Sequence, residues 1–598
     1  MKAKELFNPP ISSAKAHLRA KSRTRFTGFI LSCLLAISGA LAPASLEAQT
    51  NITIKPFQIR FEIPAGVATN LFLTNNNLRI PTNGATGVDG SGTNWIIPDV
   101  NVSISGAPAG CTAALLASDL TTPVSDIPVA MNTGNTSKNT NLVVNLNFDG
   151  SQTSGTATIA INATGAGLPD DVDYITAEVA KLWNGNATTG PGNNWSDGSQ
   201  WVTAGAPQAG DNVVFRDVGA QNAILSGGNV LTNSVVDTTT TISSLRFAQT
   251  SGTTNTHNLY LNPGVTLALK GNDGFKMLRD NTYVSQKMFV SISGTNGTFV
   301  QTNENSDFSI IIDGASGSAA YGTLDMSRLG NLYLDVNQVN IADAYVYPHY
   351  WDLATNGYTS GSTLGSSLPN KMNNTWLMAQ TNFVKATYVD PDNYTNANDR
   401  NYTVMLGRNN ISGGSSGNDA VISLGASNVF YIDSMCVAGY ACLGGVVNFQ
   451  NPNSYALFRN VDGHSRMTTF TTADAAGVTY GNTSGAATKA SPDFSKGYID
   501  MLVDKFYLSR DRGLRIDSGA QSQTAFDMGQ GIIDANTAIL GFQNEGNQTN
   551  ISYCYATMVV SNTAVFKVND ELAEADTDFY RKSVNFANIP QMPQNKES

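Results

Sequence analysis

A short phrase that returns along the chain constrains its fold more than any other feature. Gly322-Thr323-Leu324-Asp325-Met326 is echoed by Gly497-Tyr498-Ile499-Asp500-Met501, and Ile432-Asp433-Ser434-Met435-Cys436-Val437 by Val503-Asp504-Lys505-Phe506-Tyr507-Leu508. Looser copies begin at Leu334-Asp335 and Ile533-Asp534. Each copy has an apolar residue, an Asp, a few variable positions, then alternating apolar side chains and a small residue. Self-similarity at several tens of residues marks a repeat architecture, whose units must stack because none can bury its apolar face alone. Alternation at period two marks strands with one face turned inward. With coils of about 24 residues, the chain after residue 183 makes roughly sixteen turns, about 75 Å long at one strand spacing per turn.

Composition agrees with strands. Charged residues are only 14% of the 598, against about 25% in an average domain. Apolar residues remain at 41%, too many for a disordered chain. The formal net charge of -11 leaves no basic surplus to release counterions from DNA or RNA, so nucleic acid is not an expected partner.

Residues 1–48 read as an export signal. Lys2, Lys4, Lys15, Arg19, Lys21, Arg23 and Arg25 precede an apolar run from Phe26 to Ala42, and small residues then lead to cleavage points after Ala44 or Ala48. A basic start, a short apolar stretch and a small-residue exit form a secretory signal peptide. Ser32, Ser38 and Gly39 interrupt the run, which is short for a membrane span. The expected location is secreted or cell-surface, with no membrane span after cleavage. Cys111, Cys436, Cys442 and Cys554 remain after cleavage. Cys436 and Cys442 are close enough to bridge one turn in an oxidising compartment; buried thiols are the alternative. His257, His349 and His464 have no Cys or His at ligand spacing, so a transition-metal centre is not expected.

Residues 49–182 alternate in short strands such as Val100-Asn101-Val102-Ser103-Ile104 and Ala157-Thr158-Ile159-Ala160-Ile161, punctuated by Gly, Pro, Asn and Asp. Ile104-Ser105-Gly106-Ala107-Pro108-Ala109-Gly110, with Gly155-Thr156-Ala157-Thr158-Ile159 later, resembles bacterial immunoglobulin-like modules, which are two-sheet sandwiches. At residue 183 the texture changes. Trp183-Asn184-Gly185, Asn193-Asn194-Trp195, Trp201, Pro207 and Gly210-Asp211-Asn212-Val213-Val214-Phe215 lead to Thr241-Ile242-Ser243-Ser244-Leu245-Arg246-Phe247 and Leu259-Tyr260-Leu261-Asn262-Pro263-Gly264-Val265-Thr266-Leu267. This order is similar to the opening of the autotransporter-associated β-strand-repeat proteins, and the likeness extends over roughly residues 183–550. It implies an exported β-solenoid without an established catalytic site. The expected fold is therefore all-β: signal peptide 1–48, immunoglobulin-like β-sandwich 49–182, right-handed parallel β-helix 183–570 and acidic, polar tail 571–598.

Candidate chemistry is sparse. Trp183, Trp195 and Trp201 read either as a sugar-stacking platform or as a cap over the open first coil, whose edge otherwise invites aggregation. Gly413-Gly414-Ser415-Ser416-Gly417 matches a nucleophile elbow in letters only, since no helical pattern follows it. Ser509-Arg510-Asp511-Arg512-Gly513-Leu514-Arg515-Ile516-Asp517 is the densest charge cluster in the repeat region. It reads as a solvated turn with local ion pairs, or as the basic and acidic groups of an enzyme acting on acidic polysaccharide. Asp390 and Asp392, and the run from Asp570 and Glu571 through Glu574, Asp576 and Asp578, are oxygen-rich loops of the kind calcium takes, without EF-hand spacing. The expectation is a non-catalytic structural or adhesive protein that meets extracellular polysaccharide or other cell-surface components and assembles with copies of itself. A polysaccharide lyase or glycoside hydrolase, and a non-catalytic carbohydrate-binding protein, are the alternatives.

Overall fold

The computed structural model describes residues 53–55, 59–80, 100–127, 138–165, 168–185, 193–203, 205–216, 234–249, 254–279, 287–311, 320–343, 351–352, 357–358, 372–389, 401–408, 418–439, 442–474, 487–511, 521–543, 553–574 and 585–587. The signal segment 1–48 lies outside them. Among the described residues the fold is all-β, with one short 3-10 turn at Gly198–Gln200, and no helix is long and apolar enough to cross a membrane.

Two sheets face each other at the N-terminal end. One is antiparallel, with strand order Thr53–Lys55, Thr69–Ile80, Lys138–Phe148, Cys111–Leu116. Facing it are Val100–Ser105, Gly155–Gly165, Leu168–Leu182 and Ile59–Pro64. Phe61, Leu73, Val102, Leu146, Phe148, Ile161 and Ile175 fill one core between them. This head is not a separate sandwich as expected. Leu168–Leu182 pairs antiparallel with Gly155–Gly165, then parallel with Asn212–Phe215 at Ala180, Lys181 and Leu182. One layer of the head thus belongs to the large sheet that follows it, and the boundary at 182/183 falls inside continuous hydrogen bonding.

That large sheet is closed, and its repeat region consists of parallel ladders. The chain visits three of them in rotation. In ladder one, Asn212–Phe215 pairs with Ser244–Gln249, then Phe275–Arg279, Phe308–Ile311, Val339–Asp343, Val404–Arg408, Ser434–Val437 and Met467–Thr472. Ladder two starts at Ser234–Val236 and Thr254–Leu261, ladder three at Thr240–Ile242 and Thr266–Leu269. The long strands Lys287–Asn303, Asp493–Asp511, Gln521–Gln543 and Tyr553–Glu574 bend from one ladder into the next, which joins the ladders into one sheet. The bends need glycine. Gly294 (φ 138°) and Gly531 (φ 109°) lie in the left-handed region, and a Cβ there would run into the carbonyl oxygens of Leu261 and Ile499.

Register gives the circuit length. Along ladder three, successive partners are Thr240, Leu267, Phe299, Leu332, Asn382, Asn428, Ala456, Ile499, Gly531 and Ala564. One circuit takes from 27 residues (Thr240 to Leu267) to 50 (Leu332 to Asn382). The expected coil of about 24 residues is too short, and sixteen turns too many. The excess falls between ladder one and ladder two in the span from Asp343 to Met372, and between ladder three and ladder one in the span from Ala386 to Val404.

Aromatic side chains stack through the interior at the strand spacing of about 4.8 Å: Phe215 on Phe247 at 4.9 Å, Phe275 on Phe308 at 4.7 Å, and Phe430 on Phe458 at 4.9 Å. Buried amides use the same period. Asn382 Nδ2 donates to Asn428 Oδ1 at 2.8 Å, and Asn428 Nδ2 to the Tyr455 carbonyl at 2.8 Å. At the far end, Tyr553–Glu574 continues past residue 570, and Asn585–Ala587 pairs with it. Part of the segment expected as a tail therefore belongs to the sheet.

Candidate interaction surface

The expected site residues are placed as follows. Trp183, Trp195 and Trp201 are 1%, 1% and 3% exposed. Trp201 packs edge-on to Trp183 at 4.9 Å and to Trp195 at 5.4 Å, while Trp183 and Trp195 lie on Phe215 at 5.6 and 6.1 Å. Trp195 Nε1 donates to Ser234 Oγ at 2.6 Å, and Trp201 Nε1 to the Trp195 carbonyl at 3.1 Å. A sugar needs an open indole face, and these three present none. They close the end of the first circuit, joined to its interior aromatic stack.

Of the two readings of Cys436 and Cys442, the structure has the buried thiols and not the bridge. Cys436 packs with Tyr402 and Met405 on one side of the sheet, whereas Cys442 belongs to the main interior, so their side chains serve opposite faces. Burial pushes the Cys442 thiol up to about 12, which leaves it a hydrophobic side chain rather than a nucleophile. Arg510 is not the solvated charge expected. It is buried, its guanidinium 4.3 Å from the Tyr507 ring centroid, where a desolvated cation on a π-face is favourable. Arg512, Asp390, Asp392 and Gly413-Gly414-Ser415-Ser416-Gly417 lie outside the described residues. Asp570 and Glu571 are exposed, and no group of three or more metal-ligating side chains occurs among the described residues.

The outward faces of the ladders differ. On ladder one, strands are buried on both sides: Asn212–Phe215, Phe308–Ile311, Val404–Arg408 and Ser434–Val437 are buried at every position. Its outward row runs in register through Val214, Arg246, Lys276, Ser309, Asn340, Met405, Cys436, Thr471 and Tyr507. Charges on this face are paired. Glu62 forms ion pairs with Arg216 at 2.6 Å and with Arg246; Arg60 reaches Glu178 at 3.1 Å and Asp273 at 2.5 Å; Lys276 reaches Asp273 at 2.9 Å. Burial works against the Asp273 carboxylate, but Lys276 and Arg60 outweigh it and hold its pKa below the ordinary value. This network fastens the head to the first circuits.

Ladder three is open on its outward side. Thr381–Ala386 and Ser427–Ile432 alternate between buried and solvent-facing positions. Its central outward row runs through Ala268, Val300, Tyr333, Phe383, Val429, Leu457, Asp500, Ile532 and Val565. Eight of these nine are apolar or aromatic, and Tyr333 and Val565 are 37% and 52% exposed. Tyr333 stacks on Phe383 at 4.8 Å with 10° between planes, and Tyr431 meets Phe383 edge-on at 5.2 Å. Because the stacked rings use their faces on each other, solvent meets their edges. The row therefore forms ribs at the strand spacing rather than a platform for sugar rings.

Polar rows flank this spine. On one side are Thr298, Asn331, Thr381, Ser427, Tyr455, Tyr498, Gln530 and Thr563. On the other are Asp335, Lys385, Tyr431 and Arg459, with Asp534 and Lys567 further along. Lys385 Nζ contacts Glu304 at 2.7 Å and Asp335 at 3.1 Å, Arg459 pairs with Asp500 at 2.8 Å, and Lys567 with Asp534 at 3.1 Å.

The spine was not among the residues singled out from the sequence. Its signal was there: in Thr381-Asn382-Phe383-Val384-Lys385-Ala386 and Ser427-Asn428-Val429-Phe430-Tyr431-Ile432, apolar side chains occupy both parities where a half-solvated strand should alternate. No protein-family model matches the chain, and no characterised protein compared with it is similar.

Proposed function

We propose that the chain is an exported structural and adhesive protein of the cell surface or its surroundings, similar to the autotransporter-associated β-strand-repeat proteins. In this reading the ladders are a right-handed parallel β-helix, the head is an immunoglobulin-like module fused to its first circuits, and the rod presents its open ladder to neighbours. The observation that carries the reading is the uninterrupted register of ladder three from Thr240 to Ala564. Such continuity suits a stiff, protease-resistant spacer. The basic, apolar and small-residue order of residues 1–48 supports export.

The test expresses the whole chain in a bacterial host. Mass spectrometry should find cleavage after Ala44 or Ala48, and external protease should reach the product on intact cells. Purified protein incubated with acidic and neutral polysaccharides, with and without calcium, should release neither reducing ends nor unsaturated uronate. Retention in the cytoplasm would sink the export reading. Turnover would replace the rod with a lyase or hydrolase, and binding without turnover would recast it as a carbohydrate-binding protein.

A further inference from the structure

We infer that the outward face of ladder three is an interface for a second copy of this chain, packed face to face with its long axis reversed and the two-fold axis beside Leu457. The inference rests on the reading of the ladders as a stiff rod, and three observations carry it.

The first is anatomy. An apolar spine between two polar rows is the layout of a protein interface, with a dry centre and a wet rim; from Val300 to Val565 every member of the spine is at least partly open to solvent. The second is size and period. Reversed about Leu457, the seven strands in register from Tyr333 to Val565 overlap over about 29 Å, and five residues of strand add a width of about 16 Å. A face of about 460 Å² from each copy totals about 920 Å², the size of a weak, reversible association. Its ribs repeat at the strand spacing, so the surface that fits them needs grooves of that same period, and a copy of this face has them.

The third is charge order. From Asp335 the rim reads Asp335, Lys385, Tyr431, Arg459, and after one further strand Asp534 and Lys567. Reversed about the level of Arg459 and Leu457, Asp335 meets Lys567 of the copy and Lys385 meets Asp534. Two such contacts on each side give four attractive pairs. The Arg459 side chains that approach each other at the axis each carry their own Asp500 partner at 2.8 Å. In the central row Phe383 faces Ile532, Tyr333 faces Val565 and the two Leu457 side chains meet at the axis, while Val429 faces Asp500, which Arg459 holds. A parallel arrangement sets Asp335, Lys385 and Lys567 opposite the uncharged row and gains none of these pairs.

Sedimentation of the secreted chain over a concentration series should show a reversible monomer–dimer equilibrium. Phe383→Glu should weaken it at least about thirtyfold, the effect of losing one central anchor, with the monomer still folded because Phe383 lies on the outward face and not in the interior. Leu457→Cys should give a disulfide-linked dimer under mild oxidation, while Val172→Cys on the head should not. Lys567→Glu should weaken association, and adding Asp335→Lys should restore it. These two positions lie six strands apart in one chain, so rescue can arise only between chains. A wild type that stays monomeric at high concentration overturns the inference. So does a dimer that is indifferent to Phe383→Glu and fails to cross-link through Leu457→Cys. Either result leaves export and absence of turnover, which are read separately, untouched.

Discussion

Ladder one and ladder three are built by the same circuits from the same kind of strand, yet their outward faces have opposite fates. Outward on ladder one, Val214, Arg246, Met405 and Cys436 are all buried; outward on ladder three, Tyr333, Tyr498 and Val565 are solvated. The charges follow the difference. Where the face is buried, Glu62, Arg246 and Glu178 are drawn into one network, because an uncompensated buried charge is costly. Where the face is open, Lys385 and Lys567 make partly solvated pairs, whose contribution is small. Position in the circuit, rather than strand chemistry, decides what a side chain must do.

The sharpest way to break this contrast is to place one substitution on both faces. Val214→Lys puts an unpartnered ammonium at a fully buried position and should abolish folding or cost several kcal/mol. Val565→Lys, at concentrations where the chain is monomeric, should change stability by no more than about 0.5 kcal/mol. Urea denaturation of the two variants reads both, and equal effects would erase the distinction between the faces.

A smaller contrast concerns the charges. Glu62→Gln leaves the buried Arg246 with Glu178, at 4.0 Å, as its remaining carboxylate and should cost up to about 3–5 kcal/mol, whereas Lys385→Ala should cost at most about 1 kcal/mol. A loss of similar size at Lys385 would mean that the rim network is as demanding as the buried one.

The smallest effect lies in the turn that rises beside ladder three. Asp462 accepts from Ser465 Oγ and from the backbone N–H groups of Ser465 and His464 at 2.8 Å. These hydrogen bonds lower its pKa from 3.8 to about 2. A group with a depressed folded value stabilises above its unfolded value and loses that contribution as pH falls through the folded one. The difference in thermal midpoint between wild type and Asp462→Asn should therefore be present at neutral pH and shrink between about pH 4 and pH 2. A difference that stays constant over this range would remove the carboxylate from the turn's stability.

Much of the fold was legible because it is local. Alternation gave the strands, the echo between Gly322-Thr323-Leu324-Asp325-Met326 and Gly497-Tyr498-Ile499-Asp500-Met501 gave the stacking, and the cluster of tryptophans after residue 182 gave a change of structure where the first circuit begins. The sugar-platform and disulfide readings, each weighed against a buried alternative, gave way for a common reason. Residue type states what Trp195 or Cys442 can do chemically, while its enclosure depends on residues brought close by the register: Ser234 and Phe215 around the indole, and the interior of the ladders around the thiol.

The sequence alone determined that this chain forms strands and that the strands repeat, since these follow from side-chain order along the chain. Only the tertiary structure decided that a circuit takes 27 to 50 residues, that the head shares a sheet with the ladders, and that one outward face is buried while another is open. The physical reason is that burial belongs to the sum of neighbours around a side chain, and in a parallel ladder those neighbours come from circuits tens of residues away.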